Sequence, residues 1–286
     1  MLFNKFKYGV KKIVENYRDY NWWMNVYNNN IIHKLISNKG FYILEEDWDV
    51  LIILDACRYD TFKKYNNIEG KLEYRISRGS ETTEFLNENF NKKYRNVDLQ
   101  DIIYLAANPF VSRYLKNRFF MIDPIWNYGW DKDVNTVLPN KVCEKGLKLI
   151  EQYRDKKIIM HFMQPHEPFI NYNFKGASGF SNLRKSILKD DVIEIDVLWE
   201  DLLKNNKINI RQVIEAYENN LIIVLKYIKE MVTEIKSKVV ITSDHGNMFG
   251  ERTSLYFPFK IYGHPDGIYT AYLRKVPWFI IDNKNI

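Results

Sequence analysis

Two uninterrupted apolar runs, VLIIL at 50–54 and VVIT at 239–242, each stop at a polar cluster, and they narrow the fold more than any other feature. A run with no polar residue at alternate positions reads as a strand covered on both faces, the pattern of a parallel sheet between helix layers. The first run ends at Asp55 of LDACRYD, and the second at Ser243-Asp244-His245-Gly246. In open sheets of this kind, ligands sit beyond the carboxyl ends of the strands. Two carboxylates and an imidazole delivered to one edge are the donor types of a divalent-metal site.

The rest of the chain alternates in the same sense. Patterning predicts a helix over 58–66, a strand at Glu73–Ser77, a loop RGSETTEF at 78–85 and a strand at Asp101–Ala106. Residues 110–139 read as irregular, punctuated by Pro124, Gly129 and Pro139. A helix follows over Lys141–Tyr153, then a buried strand Lys157–Met163 that runs into Gln164-Pro165-His166. The segment 172–206 is poorly patterned and reads as a lid or insertion. Asn209 with Gln212 forms a capping box that starts a long amphipathic helix to about 236. The Asp244 strand comes next, and VPWFII at 276–281 is the last. The predicted fold class is α/β: a three-layer sandwich with a central, mostly parallel sheet. Its organisation is a helical extension over 1–47 packed on a single α/β domain over 48–286.

At 286 residues the chain can bury one large α/β core. Forty-two basic and 36 acidic residues leave a formal charge of +6, an ordinary soluble surface with a mild preference for anionic partners. No dense Lys/Arg cluster is interleaved with aromatics, which argues against nucleic acid. Cys57 and Cys143 make neither a disulfide framework nor a CxxC zinc site, so a reduced, cytoplasmic setting is expected. The N-terminus lacks the apolar core of a secretory signal, and no stretch reaches 18 apolar residues, so no membrane span is expected. Its aromatic and basic residues allow peripheral contact with a membrane surface.

Four of the five histidines, His161, His166, His245 and His264, fall in or beside strand-end segments; only His33 lies elsewhere. A single strand-ending Asp commonly caps the next helix, and a single histidine is commonly structural. Convergence of several on one sheet edge is what points to a site. The late block SDHGNMFGER, then GH at 263–264, then LRKVPWFII, together with LDACRYD near the start, resembles the alkaline phosphatase/sulfatase superfamily, and its sulfatase-like branch in particular.

That resemblance implies an alkaline-phosphatase-like fold and one divalent metal held by Asp55, Asp244 and His245. Zinc or manganese suits such ligands best, with magnesium or calcium as oxygen-preferring alternatives. It also implies a hydroxyl nucleophile that joins the metal. The loop SRGSETTEFL offers Ser80, Thr82 and Thr83; set beside the nucleophile loop of lipoteichoic acid synthases, its Glu-Phe pair favours Ser80, with Thr82 second. The departures matter as well. No C/S-x-P-x-R string is present, which argues against the usual sulfate chemistry, and Phe162 stands four residues before His166 where two-metal members carry Asp. His166 and His264 are therefore expected to touch substrate. Arg58, Arg78 and Arg252 could clamp phosphate, although ion pairing is the commoner role of such arginines, and Asp60 is expected to pair with one of them.

The implied activity is hydrolysis of phosphate esters, with sulfate less favoured, through a covalent phosphoenzyme. The first alternative is a phosphoglycerol- or phosphoethanolamine-type transferase to glycan or lipid, and the second is a non-catalytic metal-binding protein. The expected partner is a phosphorylated small molecule, glycan or lipid.

Overall fold

The continuous apolar run Val50–Asp55 forms β1, every residue of it buried, at the middle of a seven-stranded sheet. The computed structural model describes residues 38–94, 98–115, 118–189, 196–252 and 260–282; the extension expected over 1–47 lies mostly outside them. In chain order the other strands are β2 (Lys71–Ile76), β3 (Leu99–Ala106), β4 (Phe119–Asp123), β5 (Trp130–Asp131), β6 (Thr136–Val137), β7 (Lys157–Pro165), β8 (Lys238–Ser243), β9 (Met248–Glu251), β10 (Ile261–Gly263) and β11 (Lys275–Asp282). The sheet order is β2-β11-β8-β1-β7-β3-β4, while β5/β6 and β9/β10 form two small ribbons. Only β11 runs antiparallel to its neighbours in the main sheet. This is the mixed, mostly parallel α/β fold that the two apolar runs required.

Register decides where the chemistry lands. Leu54 of β1 lies opposite Ser243 of β8, so Asp55 and Asp244 leave adjacent strands at the same level. On the other side Ile53 pairs with His161 of β7, and His161 in turn pairs with Ala106 of β3.

The long helix Ile210–Val232 begins at the expected box: Asn209 Oδ1 accepts from Gln212 N at 3.1 Å and Gln212 Oε1 accepts from Asn209 N at 2.9 Å. Its apolar stripe of Val213, Ala216, Leu221, Val224 and Ile228 is buried, at about 1.5–3 kcal/mol for each large aliphatic side chain. The helix Pro139–Gln152 comes so close to the sheet that a Cβ on Gly146 would lie 2.1 Å from Met160 Sδ, so any larger residue there requires the methionine to move.

One expectation is corrected. Residues 110–139 are not irregular: they hold the helix Pro109–Tyr114, β4, the short helix Ile125–Tyr128 and the β5/β6 ribbon. Their prolines and glycine mark turns between short elements. The segment 172–206 contains the helices Ser181–Lys189 and Trp199–Lys204. Trp199, 1% exposed, joins Phe169, Val213, Ala216 and Tyr217 in a satellite core on the long helix. Among the described residues no helix is long and apolar enough to cross a membrane.

Candidate metal centre and nucleophile

After β1 the chain turns through Ala56 at φ +58°, in the left-handed region. This turn leaves Asp55 at the strand end, 1% exposed. Asp55 Oδ2 accepts from Asn108 Nδ2 at 2.6 Å, whereas its Oδ1 is buried without a hydrogen-bond partner. Asn108 also caps the helix Pro109–Tyr114, its Oδ1 accepting from Phe110 N at 2.8 Å.

At the end of β8, Asp244 Oδ1 accepts from the backbone N–H of Ala56 (3.1 Å) and of His245 (2.8 Å). Ser243 Oγ accepts from Cys57 N at 2.8 Å, which locks the two strand ends together. His245 Nδ1 lies 2.7 Å from the carbonyl of Gly246 and donates to it, so the lone pair of Nε2 is free. That nitrogen lies 3.6 Å from Asp55 Oδ1 and 3.4 Å from Asp244 Oδ2. Among the described residues Asp55, Asp244 and His245 are the one such group whose donor atoms all lie within 4.8 Å of one another.

Thr82 opens the helix Thr82–Leu86 and completes the cluster. Its Oγ1 donates to Asp244 Oδ2 at 2.8 Å and lies 3.3 Å from His245 Nε2. The Ser80 hydroxyl, favoured by sequence, points elsewhere: Oγ and N both donate to Glu84 Oε2, at 2.8 and 2.7 Å. Glu84 Oε1 accepts from Tyr269 at 2.8 Å. Ser80 thus braces the loop, and the structure brings Thr82 rather than Ser80 to the carboxylates.

Electrostatics at the cluster are asymmetric. Burial, and then the charge of Asp244, push the Asp55 carboxyl well above its ordinary range against the opposing Asn108 bond. Burial acts on Asp244 in the same direction, but His245, His161 and the Thr82 hydroxyl outweigh it and hold this carboxyl low. Two buried carboxylates, one with an oxygen that nothing satisfies, facing a free imidazole lone pair are costly without a cation. The donor set fits one divalent cation.

The opposite wall is made of histidines. His166 Nε2 lies 2.8 Å from His264 Nε2, and the His264 ring stacks 4.5 Å from that of His245. His166 Nδ1 donates to Glu167 O at 2.7 Å, so in the neutral ring its Nε2 accepts from His264. Burial lowers His166 to about 4 and, with the neighbouring imidazoles His245 and His166, holds His264 well below its ordinary value. Both rings are therefore neutral near pH 7.

The three arginines named by sequence sit in different surroundings. Arg58 binds Asp60 through Nε (2.9 Å) and Nη2 (2.6 Å), pairs with Glu251, and packs against the rings of Phe249 and Tyr272. Its donors are consumed within the protein, and Asp60 has the pairing role expected of it. Arg78 sits 3.6 Å above the Tyr42 ring and 3.4 Å from Glu88. Arg252 is exposed.

Four positioning residues were not given roles by sequence. Fully buried Asn220, inside the apolar stripe, accepts from Ile170 N at 2.8 Å and donates to His166 O at 3.0 Å and Pro168 O at 3.1 Å. One turn earlier Tyr217 donates to Ala56 O at 2.7 Å and accepts from Arg58 N at 2.9 Å. One helix thereby holds the loops after both β1 and β7. An Asn at a core-facing position of an amphipathic helix was the available signal. Asn108 is the third, and buried His161 is the fourth: its Nδ1 lies 2.9 Å from Tyr104 Oη and its Nε2 lies 3.6 Å from Asp244 Oδ2.

No protein-family profile and no curated protein matches the chain. Solved structures do match. The integral membrane lipooligosaccharide phosphoethanolamine transferase A of Neisseria meningitidis is similar at TM-score 0.52 and 14% identity, over 82% of this chain and 48% of that one. The soluble domain of the same transferase gives TM-score 0.51 and 14% identity over 81% of this chain and 75% of that domain. The C-terminal periplasmic domain of phosphoethanolamine transferase EptC from Campylobacter jejuni gives 0.45 and 17%, over 81% and 78%. The chain thus has the alkaline phosphatase/sulfatase fold that the strand-end motifs suggested. It spans about half the length of the intact Neisseria transferase, 48%. The cytoplasmic setting expected from the cysteine count is corrected: the Neisseria transferase that the chain resembles in fold is an integral membrane protein, and the resemblance gives a cytoplasmic setting no support. Two buried free thiols never constrained the compartment.

Proposed function

We propose that this chain is a metal-dependent phosphotransferase domain that moves a phospho-alcohol group from a lipid or glycan donor to an acceptor hydroxyl, with Thr82 as nucleophile. The observation that carries the reading is the Thr82 hydroxyl, 2.8 Å from Asp244 Oδ2 and 3.3 Å from His245 Nε2, beside the unsatisfied Asp55 oxygen. Asp55, Asp244, His245 and Thr82 would hold the metal, which when bound lowers the hydroxyl pKa and offsets charge on the phosphoryl oxygens. Thr82 Oγ1 forms a bond to phosphorus as the bond to the departing ester oxygen breaks in line, and the hydroxyl proton passes through water to the neutral His166–His264 pair, which returns it to the departing alcohol. In the second half-reaction the acceptor hydroxyl gives its proton to the pair as its oxygen displaces Thr82, and the freed Thr82 oxygen takes that proton back. Neutral imidazoles suit this exchange, since the pair can take up one proton and then release it.

The two neighbours with TM-scores above 0.5 are forms of one phosphoethanolamine transferase, and extension of that class of reaction to this chain is part of the proposal. Hydrolysis is the second reading, because water can take the place of the acceptor without any change to these residues.

The test is incubation of purified protein with zinc or manganese and vesicles of head-group-labelled phosphatidylethanolamine or phosphatidylglycerol. A phospho-head-group adduct on Thr82, found by peptide mass spectrometry, supports the proposal. An adduct on Ser80, or turnover unchanged in Thr82→Ala, overturns it.

A further inference from the structure

A second acidic pair lies behind the histidine wall. Glu167 follows His166 and is 3% exposed; its Oε2 accepts from Trp199 N at 3.2 Å, while its Oε1 is buried with no partner. Glu200, the residue after Trp199, likewise has a buried oxygen, Oε2, without a partner. Its other oxygen lies against the backbone of Gly263, only 2.2 Å from where a Cβ would stand, next to His264.

Nearby acids are differently occupied. Asp196 accepts from Ser178 Oγ (2.7 Å), Asn182 N (3.0 Å) and Leu183 N (3.0 Å), and Asp201 accepts from Leu198 N at 3.1 Å. Those two cap local backbone. Glu167 and Glu200 instead leave lone pairs in a buried space, and the charges acting on them are all negative. A cavity of about 80 Å³, lined by Glu167, Asp133, Asn135, Asn173 and Ser178 among others, adjoins the pair on its Glu167 side. That volume can hold the waters a hard cation keeps, at roughly 30 Å³ each.

We propose that Glu167 and Glu200 hold a hard, oxygen-seeking cation of the calcium class, separate from the Asp55–Asp244–His245 centre, that ties helix Trp199–Lys204 to the His166 and His264 loops. An all-oxygen donor set with no imidazole or thiolate suits calcium, and calcium's tolerance of irregular coordination suits a site completed by water. The electrostatics agree: burial pushes both carboxyls up, with the charge of Glu200 adding to it at Glu167 and that of Asp201 at Glu200, which rises to about 7, a cost that a bound cation removes. The site does not depend on the transferase reading.

The neighbouring Trp199 indole supplies the assay. Chelator-stripped protein is titrated with terbium, and luminescence sensitised through tryptophan is followed before and after competition with calcium or magnesium. The signal is expected to survive in Asp55→Asn/Asp244→Asn. In Glu167→Gln/Glu200→Gln, terbium affinity should fall by at least about tenfold, the scale on which even outer-shell changes weaken a metal site. Calcium should displace terbium more effectively than magnesium. Absence of the signal in the wild type, or its loss in the Asp55/Asp244 variant with retention in the Glu variant, overturns the proposal. Should the double Glu variant not fold, terbium-soaked wild-type crystals decide: an anomalous peak between the two carboxyl groups supports the site, and its absence there rejects it.

Discussion

On one wall of the site, Asp244 accepts two backbone N–H groups and the Thr82 hydroxyl, and its neighbour Asp55 leaves a single oxygen bare. On the other, two histidines share one short contact of 2.8 Å with no carboxylate between them. The first wall is charged and rests on the central strands β1 and β8, whose register is fixed by paired neighbours. The second is neutral and rests on loops, of which a helix side chain, Asn220, holds the His166 loop from behind. On the function proposed above, the contrast divides the labour: strand ends set the place of a cation to within the sheet's own precision, while loops present the groups that exchange protons.

The largest effect separates the two hydroxyls of the nucleophile loop. Thr82→Ala should lower turnover of the lipid donor, or of an aryl phosphate, by at least about a thousandfold, as expected when a nucleophile is removed. Ser80→Ala should stay within about tenfold, because it removes one of several bonds to Glu84 and nothing from the cation site. Equal losses in steady-state assays would erase the distinction between them.

The next effect tests the charged wall through pH. Folding raises the Asp55 carboxyl pKa, so this group favours the folded state below its unfolded pKa, and that contribution fades as pH rises through the folded value. Metal-free protein should therefore lose thermal stability from acidic towards neutral pH, and added zinc or manganese should raise Tm more at neutral than at acidic pH. Differential scanning fluorimetry in matched buffers checks this; a metal-induced rise that is larger in acid would count against Asp55 as a ligand.

The same contrast explains what could be read from the chain. Asp55, Asp244 and His245 announce themselves because an apolar run must end somewhere and its last residue must face the sheet edge. The sheet order and the antiparallel β11 follow from long-range pairing that periodicity does not encode. Ser80 was preferred over Thr82 because an aligned Glu-Phe pair carries no information on which hydroxyl the helix start turns inward; Glu84 takes Ser80 and leaves Thr82 to the carboxylates. The short helices and strand within 110–139 were lost among turn residues, and Asn220 was hidden inside an apolar stripe. Its role depends on a loop some 50 positions away.

Asn220→Leu should test the neutral wall. It leaves Ile170 N and the carbonyls of His166 and Pro168 without their buried partner, a cost of about 2–4 kcal/mol in denaturant unfolding. Turnover should fall while zinc affinity, measured by competition with a chelating dye, stays unchanged. A parallel loss of zinc would mean that the two walls are not mechanically separate.

The smallest effect belongs to Asn108, which serves a cap with one atom and the metal wall with the other. Asn108→Ala removes both and should cost about 1 kcal/mol through the lost cap alone. Asn108→Asp keeps an oxygen for Phe110 N, so the cap survives. It replaces the donor to Asp55 with a second acceptor, and two carboxylates then compete across a 2.6 Å contact. The Asp variant should therefore hold Tm close to wild type when metal is bound, where the added charge is offset, and fall below it after chelation. Unfolding curves of both variants with and without zinc separate the two atoms; identical behaviour of Ala and Asp would show that Asn108 acts as a cap and nothing more.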